Sequence, residues 1–328
     1  MKLSNATLFF ALLNAPARLF LAVLLLRSVK ISVISIASLT LIATILILKS
    51  MTVESIVGLT LFSKFLFLVL GASLADGLVG KKFLEHQDTF FRYSGYFLIL
   101  VIFIQIFGGV DIWSGSGSYG IRTPSSFSGF GELAVFIGAS LFFRGFQPLT
   151  LLVGILSTSK IVLLAIFLHI LAFRRQILFF SLICAACLVF LLNYFFYDTT
   201  WFSRFESSVL NFDLSTATYA NRIDSTQAVF DNVKDSVFHI ILGLNTTDLF
   251  LVSPEYTLGY LIKIGGLALA VCFAVYYFSV CGFSLLSFYF FFICMASTYA
   301  ASAVALLMIG FFTASHKRQR YAHHHRTA

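Results

Sequence analysis

Three arginines, Arg122, Arg204 and Arg222, lie in two polar stretches of a chain that is otherwise almost continuously apolar. A guanidinium group is permanently charged, and its planar fork of N–H donors matches the oxygens of a phosphate. Two or three such groups that converge from separate loops would hold a pyrophosphate at a membrane surface. The alternative for each arginine is a solvated loop charge, or an ion pair with a neighbouring acid.

Four ionisable residues lie inside apolar runs: Lys64, Glu132, Lys160 and Lys263. Such residues are costly within a membrane and are functional candidates by default. Lys160 follows the polar residues 157–159, so it either contacts a lipid phosphate or satisfies the ends of a broken helix. We expect Glu132 to pair with a nearby arginine, whereas Lys64 has no obvious partner.

The polar stretch 197–256 holds eight of the 14 acidic residues and three basic ones, a net charge of −5. The rest of the chain then carries 19 basic and six acidic residues, a net charge of +13. These basic residues cluster in short loops and ends, which is the positive-inside pattern of membrane proteins rather than a nucleic-acid-binding surface. The sequence therefore predicts that 197–256 is a large external loop.

The elements that would position these residues are membrane helices, because 59% of the residues are hydrophobic and the mean hydropathy is +0.95. A span needs about 20 apolar residues, and the runs are continuous rather than alternating, which favours helices over a barrel. We predict an all-α, polytopic membrane protein with about 11 transmembrane segments (10–12), forming one domain over 1–328. The predicted segments lie near 5–26, 31–48, 55–75, 93–110, 128–143, 177–196 and 257–280, with two broken pairs at 146–173 and 282–313.

The breaks within the two overlong runs are predicted at 157–160 and 297–299, where polar residues interrupt the apolar pattern. A smaller external loop is predicted at 111–127. Within the large loop, residues at helical spacing form one partly apolar face and predict an amphipathic helix. They are Tyr219, Ile223, Thr226, Phe230 and Val233. All five cysteines fall in apolar runs, and no residue spacing suggests a metal site, so we predict neither a metal nor a cofactor.

Several short motifs, taken in order, resemble the bacterial O-antigen polymerase and O-antigen ligase superfamily of membrane sugar transferases (the Wzy and WaaL types). The motifs that carry the resemblance are Gly120-Ile-Arg122-Thr-Pro124, Leu156-Ser-Thr-Ser-Lys160, Asn221-Arg222 with Ile-Leu-Gly243-Leu, and Pro254-Glu255-Tyr256 with Leu261-x-x-x-Gly265-Gly266. The resemblance covers roughly 93–275 and implies a GT-C-like helical bundle in the bacterial inner membrane.

The chain departs from the superfamily pattern at three places. Lys160 stands where arginine is usual, and Gly243-Leu-Asn245 lacks a second glycine. The ligases usually have a histidine where the chain re-enters the membrane, and here that stretch contains Glu255. The missing histidine favours a polymerase over a ligase.

The resemblance implies a polymerase that joins undecaprenyl-pyrophosphate-linked oligosaccharide repeats into O-antigen, capsular or exopolysaccharide chains, without a metal. It implies catalytic roles for Arg122, Arg222 and Glu255. Substrate-binding roles are implied for Arg204, Lys160, Asp224 and His239, and the general base is one of Glu255, Asp224 and His239. Implied partners are membrane lipid, a flippase and a chain-length regulator. The alternatives are an O-antigen ligase and, from another class, a solute transporter.

Overall fold

The computed structural model describes residues 18–19, 22–23, 25–26, 28–52, 57–108, 130–145, 147–157, 159–173, 217–234, 236–244, 257–296 and 302–327. All regular secondary structure in these ranges is helical, which confirms the all-α class. The helices are α1 (Val33–Thr52), α2 (Val57–Asp76), α3 (Leu78–Gly108), α4 (Phe130–Arg144), α5 (Pro148–Leu156), α6 (Lys160–Phe173), α7 (Ala217–Lys234), α8 (Val237–Leu242), α9 (Thr257–Cys281), α10 (Leu285–Ala296) and α11 (Ala303–Thr327).

The predicted break at 157–160 agrees with the structure, because α5 ends at Leu156 and α6 begins at Lys160. The predicted break at 297–299 lies outside the described residues, between α10, which ends at Ala296, and α11, which begins at Ala303. Helix α3 begins about 15 residues before the predicted segment 93–110, because the polar run 78–92 is itself helical. The backbone of α3 leaves helical geometry at His86.

Among the described helices, only α9 is by itself both long and apolar enough to cross a membrane. A second candidate results if the bent pair Leu61–Asp76 and Leu78–Gln105 is counted as one span. Val33–Lys49 and Leu285–Met295 are apolar but shorter.

The chain forms two compact units. The smaller unit comprises residues 1–18 and 86–214, and the larger unit comprises residues 19–85 and 215–328. In the larger unit, α2 packs on α11 where Gly71 and Gly310 bring the two backbones together. A Cβ atom at Gly71 would overlap the carbonyl oxygen of Leu307, and one at Gly310 would overlap that of Leu68. Small residues at a crossing are typical of helices packed in a membrane.

Helices α1 and α9 of the larger unit are antiparallel. Near the start of α1, the hydroxyls of Ser35 and Ser279 are 2.7 Å apart. Near the end of α1, Ile45 lies beside Gly265. The buried core beside this pair includes Tyr276, whose hydroxyl donates to the carbonyl oxygen of Phe65 at 2.7 Å. The N-terminal end of α1 therefore lies beside the C-terminal end of α9.

The smaller unit packs α6 against α4. His169 of α6 is buried with its ring edge-on to Phe142 of α4, at a centroid distance of 5.4 Å. Helix α5 approaches α6 closely at Gly154, where a Cβ atom would lie 2.5 Å from Cδ1 of Ile166. This close packing lets the two short helices fold back on each other at residues 157–159.

Candidate functional site

Two glycine-containing turns lie across each other in the larger unit. We call the residues that form these turns, 243–244 and 263–266, the glycine crossing. Helix α9 bends here, because Gly265 and Gly266 have non-helical backbone angles. The short helix α8 ends at Gly243 and lies against this bend. The sequence motifs containing these glycines are therefore neighbours in space, although about 20 residues separate them in the chain.

Both turns require glycine. Gly243 has φ +81° and Gly266 has φ +63°, in the left-handed region that side chains disfavour. A Cβ atom at Gly266 would overlap the carbonyl of Ile241, and one at Gly243 would lie 2.6 Å from the carbonyl of Ile264. The atoms in the way belong to the backbone, so no side-chain rotation could relieve the overlap.

Hydrogen bonds join the two turns of the crossing to each other and to α1. The amide of Leu244 donates to the carbonyl of Lys263 at 2.9 Å. Nζ of Lys49, near the end of α1, donates to the carbonyls of Leu244 at 2.9 Å and Gly243 at 3.3 Å. The bend in α9 exposes helical carbonyls that then need other donors. Each such bond contributes about 1 kcal/mol, and one from a charged donor contributes more.

Helix α7, within the predicted large loop, is anchored to the crossing by apolar contacts. Val229 and Val233 are buried with Leu244, and Ile240 and Ile262 pack against this cluster. The predicted helix is therefore present, but its predicted apolar face is partly wrong. Phe230 was expected on that face and is 53% exposed, whereas Val229 takes the buried position. Contact with α8 and α9 determines which side is buried, and the pattern within α7 does not contain that information.

Three of the predicted site residues lie on the helices that meet at the crossing. Arg222 lies near the start of α7, and its Cα is about 16 Å along the helix axis from that of Val233. Asp224 is exposed two residues further on. His239 is half-buried on α8, and its carbonyl accepts the amide of Gly243 at 2.9 Å. Helices α7 and α8 pack on each other, so these residues belong to one part of the larger unit.

Lys160 is the first residue of α6, at the predicted break. Ser157 and Ser159, which precede it, are buried. The Ser157 hydroxyl donates to the carbonyl of Gly154 at 2.9 Å, and the Ser159 carbonyl accepts the amide of Leu163 at 3.0 Å. These serines therefore provide some of the hydrogen-bond partners that the end of α5 and the start of α6 need.

Glu132 forms the ion pair that the sequence suggested. Oε2 of Glu132, in the first turn of α4, is 3.7 Å from Nη1 of Arg18, and both side chains are buried. A carboxylate in the first turn of a helix also interacts favourably with the helix dipole. Glu132 therefore has a structural role in the smaller unit, as the ion-pair partner of a buried arginine.

The remaining predicted residues, Arg122, Arg204 and Glu255, lie outside the described residues, as does the loop 111–127. The sequence analysis does not single out Lys49, because this residue lies just beyond the predicted span 31–48, where basic residues are common. Lys263 was noted as an in-span charge, but its place at the bend was not expected. The glycine pair two residues later was the available signal.

The residues of the crossing and its α1 contact include two lysines, Lys49 and Lys263, and no acidic residue. Lys263 is 5% exposed and Lys49 is half-buried. The crossing itself therefore carries two positive charges. Helix α7, which packs on it, carries Arg222 and Lys234 together with Asp224 and Asp231.

No family model matches the sequence, and no significantly similar protein was found among curated proteins or solved structures.

Proposed function

We propose that the chain is an integral membrane glycosyltransferase that polymerises lipid-linked oligosaccharide repeat units at the external face of the bacterial inner membrane. The observation that carries the proposal is the packing of α7, which bears Arg222, onto the bend of the apolar helix α9. This packing fixes a polar, arginine-bearing helix at one end of a helix long enough to cross a membrane.

The surface of the larger unit supports a membrane location. Helix α1 buries Ile42 and Leu46 but exposes six large apolar side chains, which are Val33, Ile34, Ile36, Leu41, Ile47 and Leu48. Soluble monomers rarely expose apolar patches of that extent. A helix that is apolar on all sides is typical of a membrane span.

The distance between the polar ends of α1 also supports a membrane location. Ser32 precedes the helix at one end and Lys49 lies near the other, about 26 Å apart along the axis. The hydrocarbon core of a bilayer is about 30 Å thick. We propose that the glycine crossing lies at the external surface, that the other end of α1 lies at the cytoplasmic surface, and that the whole chain has about 11 spans.

The proposed reaction is inverting glycosyl transfer. A hydroxyl of the acceptor sugar attacks the anomeric carbon of the donor, the bond from that carbon to the pyrophosphate oxygen breaks, and undecaprenyl pyrophosphate leaves. Negative charge develops on the leaving phosphate, where fixed cations stabilise the transition state. Arg222 and Arg122 supply this charge, with Arg204 and Lys160 as further phosphate or glycan contacts.

The acceptor proton passes to a general base. Glu255 is the first candidate, because it lies two residues before the start of α9 in the sequence. Asp224 and His239 are the other candidates.

Replacement of Arg222 tests the proposal. Arg222→Ala should reduce polymer formation at least roughly 100-fold, as for other groups that stabilise transition-state charge. Arg222→Lys should restore little, because an ammonium lacks the planar fork. Lys234→Ala is the matched control, since Lys234 is an exposed cation of the same helix that pairs with Asp231 at 2.6 Å.

Polymer length in cells and protein level in membranes are the two readouts. Normal polymer from Arg222→Ala, or an equal loss from Lys234→Ala, would exclude the phosphate-binding role of Arg222. Transfer of a finished polymer to a lipid A core acceptor, without elongation, would favour a ligase.

A further inference from the structure

A cavity of about 440 Å³ lies in the larger unit at the other end of α1 from the glycine crossing. It is surrounded by the start of α1, the C-terminal ends of α2 and α9, and the middle of α11. Its polar lining includes Lys30, Ser32, Asp76, Ser279, Lys317 and Arg318. These residues come from four separate segments of the chain, so the cavity is a product of the tertiary fold.

The lining contains three basic residues and one acid, and the acid is already neutralised. Nη2 of Arg318 is 3.0 Å from Oδ1 of Asp76, and the guanidinium also donates to the carbonyls of Ala75 and Asp76 at 2.8 Å. Arg318 therefore caps the C-terminal end of α2. The net charge of +2 then resides in effect on Lys30 and Lys317.

These two lysines are available to a ligand. Nζ of Lys30 is 3.5 Å from Oδ2 of Asp76, beyond the length of a good hydrogen bond, and its side chain is 69% exposed. The side chain of Lys317 is also exposed. Both ammonium groups can move toward an anion at little cost, because an exposed ion pair contributes no more than about 1 kcal/mol.

The start of α1 adds to the positive character of the cavity. Ser32 caps this helix, because its hydroxyl accepts the amide of Ser35 at 3.1 Å. The N-terminal end of a long helix carries roughly half a positive charge. Hydroxyls of Ser32, Ser35 and Ser279 form a chain with separations of 2.8 and 2.7 Å. The Ser279 hydroxyl donates to the carbonyl of Tyr276 at 2.7 Å, so the donors run in order from Ser32 through Ser35 to Ser279. The positive charge offered to a ligand therefore comes from the two lysines and the start of α1.

We propose that this cavity binds a phosphate group, supplied either by the head group of an anionic lipid or by a soluble phosphate compound. Basic pockets between helices at the cytoplasmic face bind lipid phosphates in membrane proteins, and the volume is within the usual range for ligand sites. The site lies apart from the glycine crossing and does not depend on the proposed glycosyl transfer.

Lipid binding to the purified full-length chain in detergent tests the site. Native mass spectrometry would compare dioleoyl phosphatidylglycerol, which is anionic, with dioleoyl phosphatidylcholine, which is zwitterionic. The wild type should retain phosphatidylglycerol preferentially. Lys30→Gln with Lys317→Gln should weaken retention roughly 30-fold, or about fivefold for each lysine. Lys81→Gln is the matched control, because Lys81 is an exposed lysine outside the cavity.

Three further comparisons make the result decisive. Lys317→Gln alone should fold normally and weaken binding about fivefold, while Lys317→Arg should retain it. Competition by inorganic phosphate would identify a soluble phosphate as the ligand, and retention of phosphatidylglycerol despite phosphate would identify a lipid. Equal binding by wild type, Lys317→Gln and Lys81→Gln would overturn the proposal, as would a wild type that binds neither phosphatidylglycerol nor phosphate.

Discussion

Replacement of Gly266 by alanine should break the glycine crossing. Gly266 has φ +63° and ψ −161°, a region populated almost only by glycine. Holding alanine there costs on the order of 1–3 kcal/mol. The added Cβ atom would also overlap the Ile241 carbonyl and lie 2.6 Å from the amide nitrogen of Gly243. Because both obstacles are backbone atoms, α8 must move away from α9.

Movement of α8 would break the bond from Leu244 to Lys263, worth about 1 kcal/mol. We therefore expect Gly266→Ala to destabilise the larger unit by about 2–4 kcal/mol. It should also release α7 and reduce any activity that depends on Arg222. The measurement is the midpoint of thermal unfolding of the purified protein in detergent, together with polymer formation in cells.

Gly282→Ala provides the matched control. Gly282 also has a positive φ, +75°, but a Cβ atom there would have no neighbour within 4 Å. This variant carries the conformational cost, about 1–2 kcal/mol, without the overlap. If Gly266→Ala unfolds at the same temperature as Gly282→Ala, the close backbone crossing is not a feature of the protein in solution.

Two other predictions concern the buried ion pair and the topology. Glu132→Gln removes the negative charge that faces the buried guanidinium of Arg18 and should destabilise the protein by about 3–5 kcal/mol. Glu85→Gln, in an exposed pair, should cost less than about 1 kcal/mol, and equal unfolding temperatures for the two variants would contradict this expectation. The positive-inside pattern predicts that the segment 76–92 is cytoplasmic and that 197–256 is external. Single cysteines at Thr89 and Ser208, in a background without the five native cysteines, test this topology in intact spheroplasts. An impermeant thiol reagent should label Ser208→Cys and not Thr89→Cys, and the reverse pattern would invert the predicted orientation.

The sequence predicts local interruptions of helices well. The break before Lys160 is predicted because the run 146–173 is too long for one span and polar residues interrupt it at 157–160, and the structure has the break there. The extent of α3 was not predicted, because the polar segment 78–92 was assigned to a loop by its charge alone. Charge indicates solvent or head-group exposure, but it does not exclude a helix.

The sequence does not show which distant segments of the chain contact each other. The sequence contains glycine motifs at 243 and 265–266, but their spacing does not reveal that the backbones of these two segments cross. Likewise, Lys49 donates to a turn almost 200 residues later, and the proposed phosphate cavity combines four separate segments of the chain. Such contacts depend on how the helices pack, and periodicity within a single helix carries no information about its partner.

The most direct test of the proposed function is elongation by the purified protein in lipid. Supplied only with undecaprenyl-pyrophosphate-linked repeat units, it should make a ladder of longer glycans and release undecaprenyl pyrophosphate, and excess EDTA should not reduce the yield. Loss of the ladder in EDTA with recovery in magnesium would contradict the arginine mechanism. No glycan transfer under any of these conditions would contradict the assignment as a glycosyltransferase.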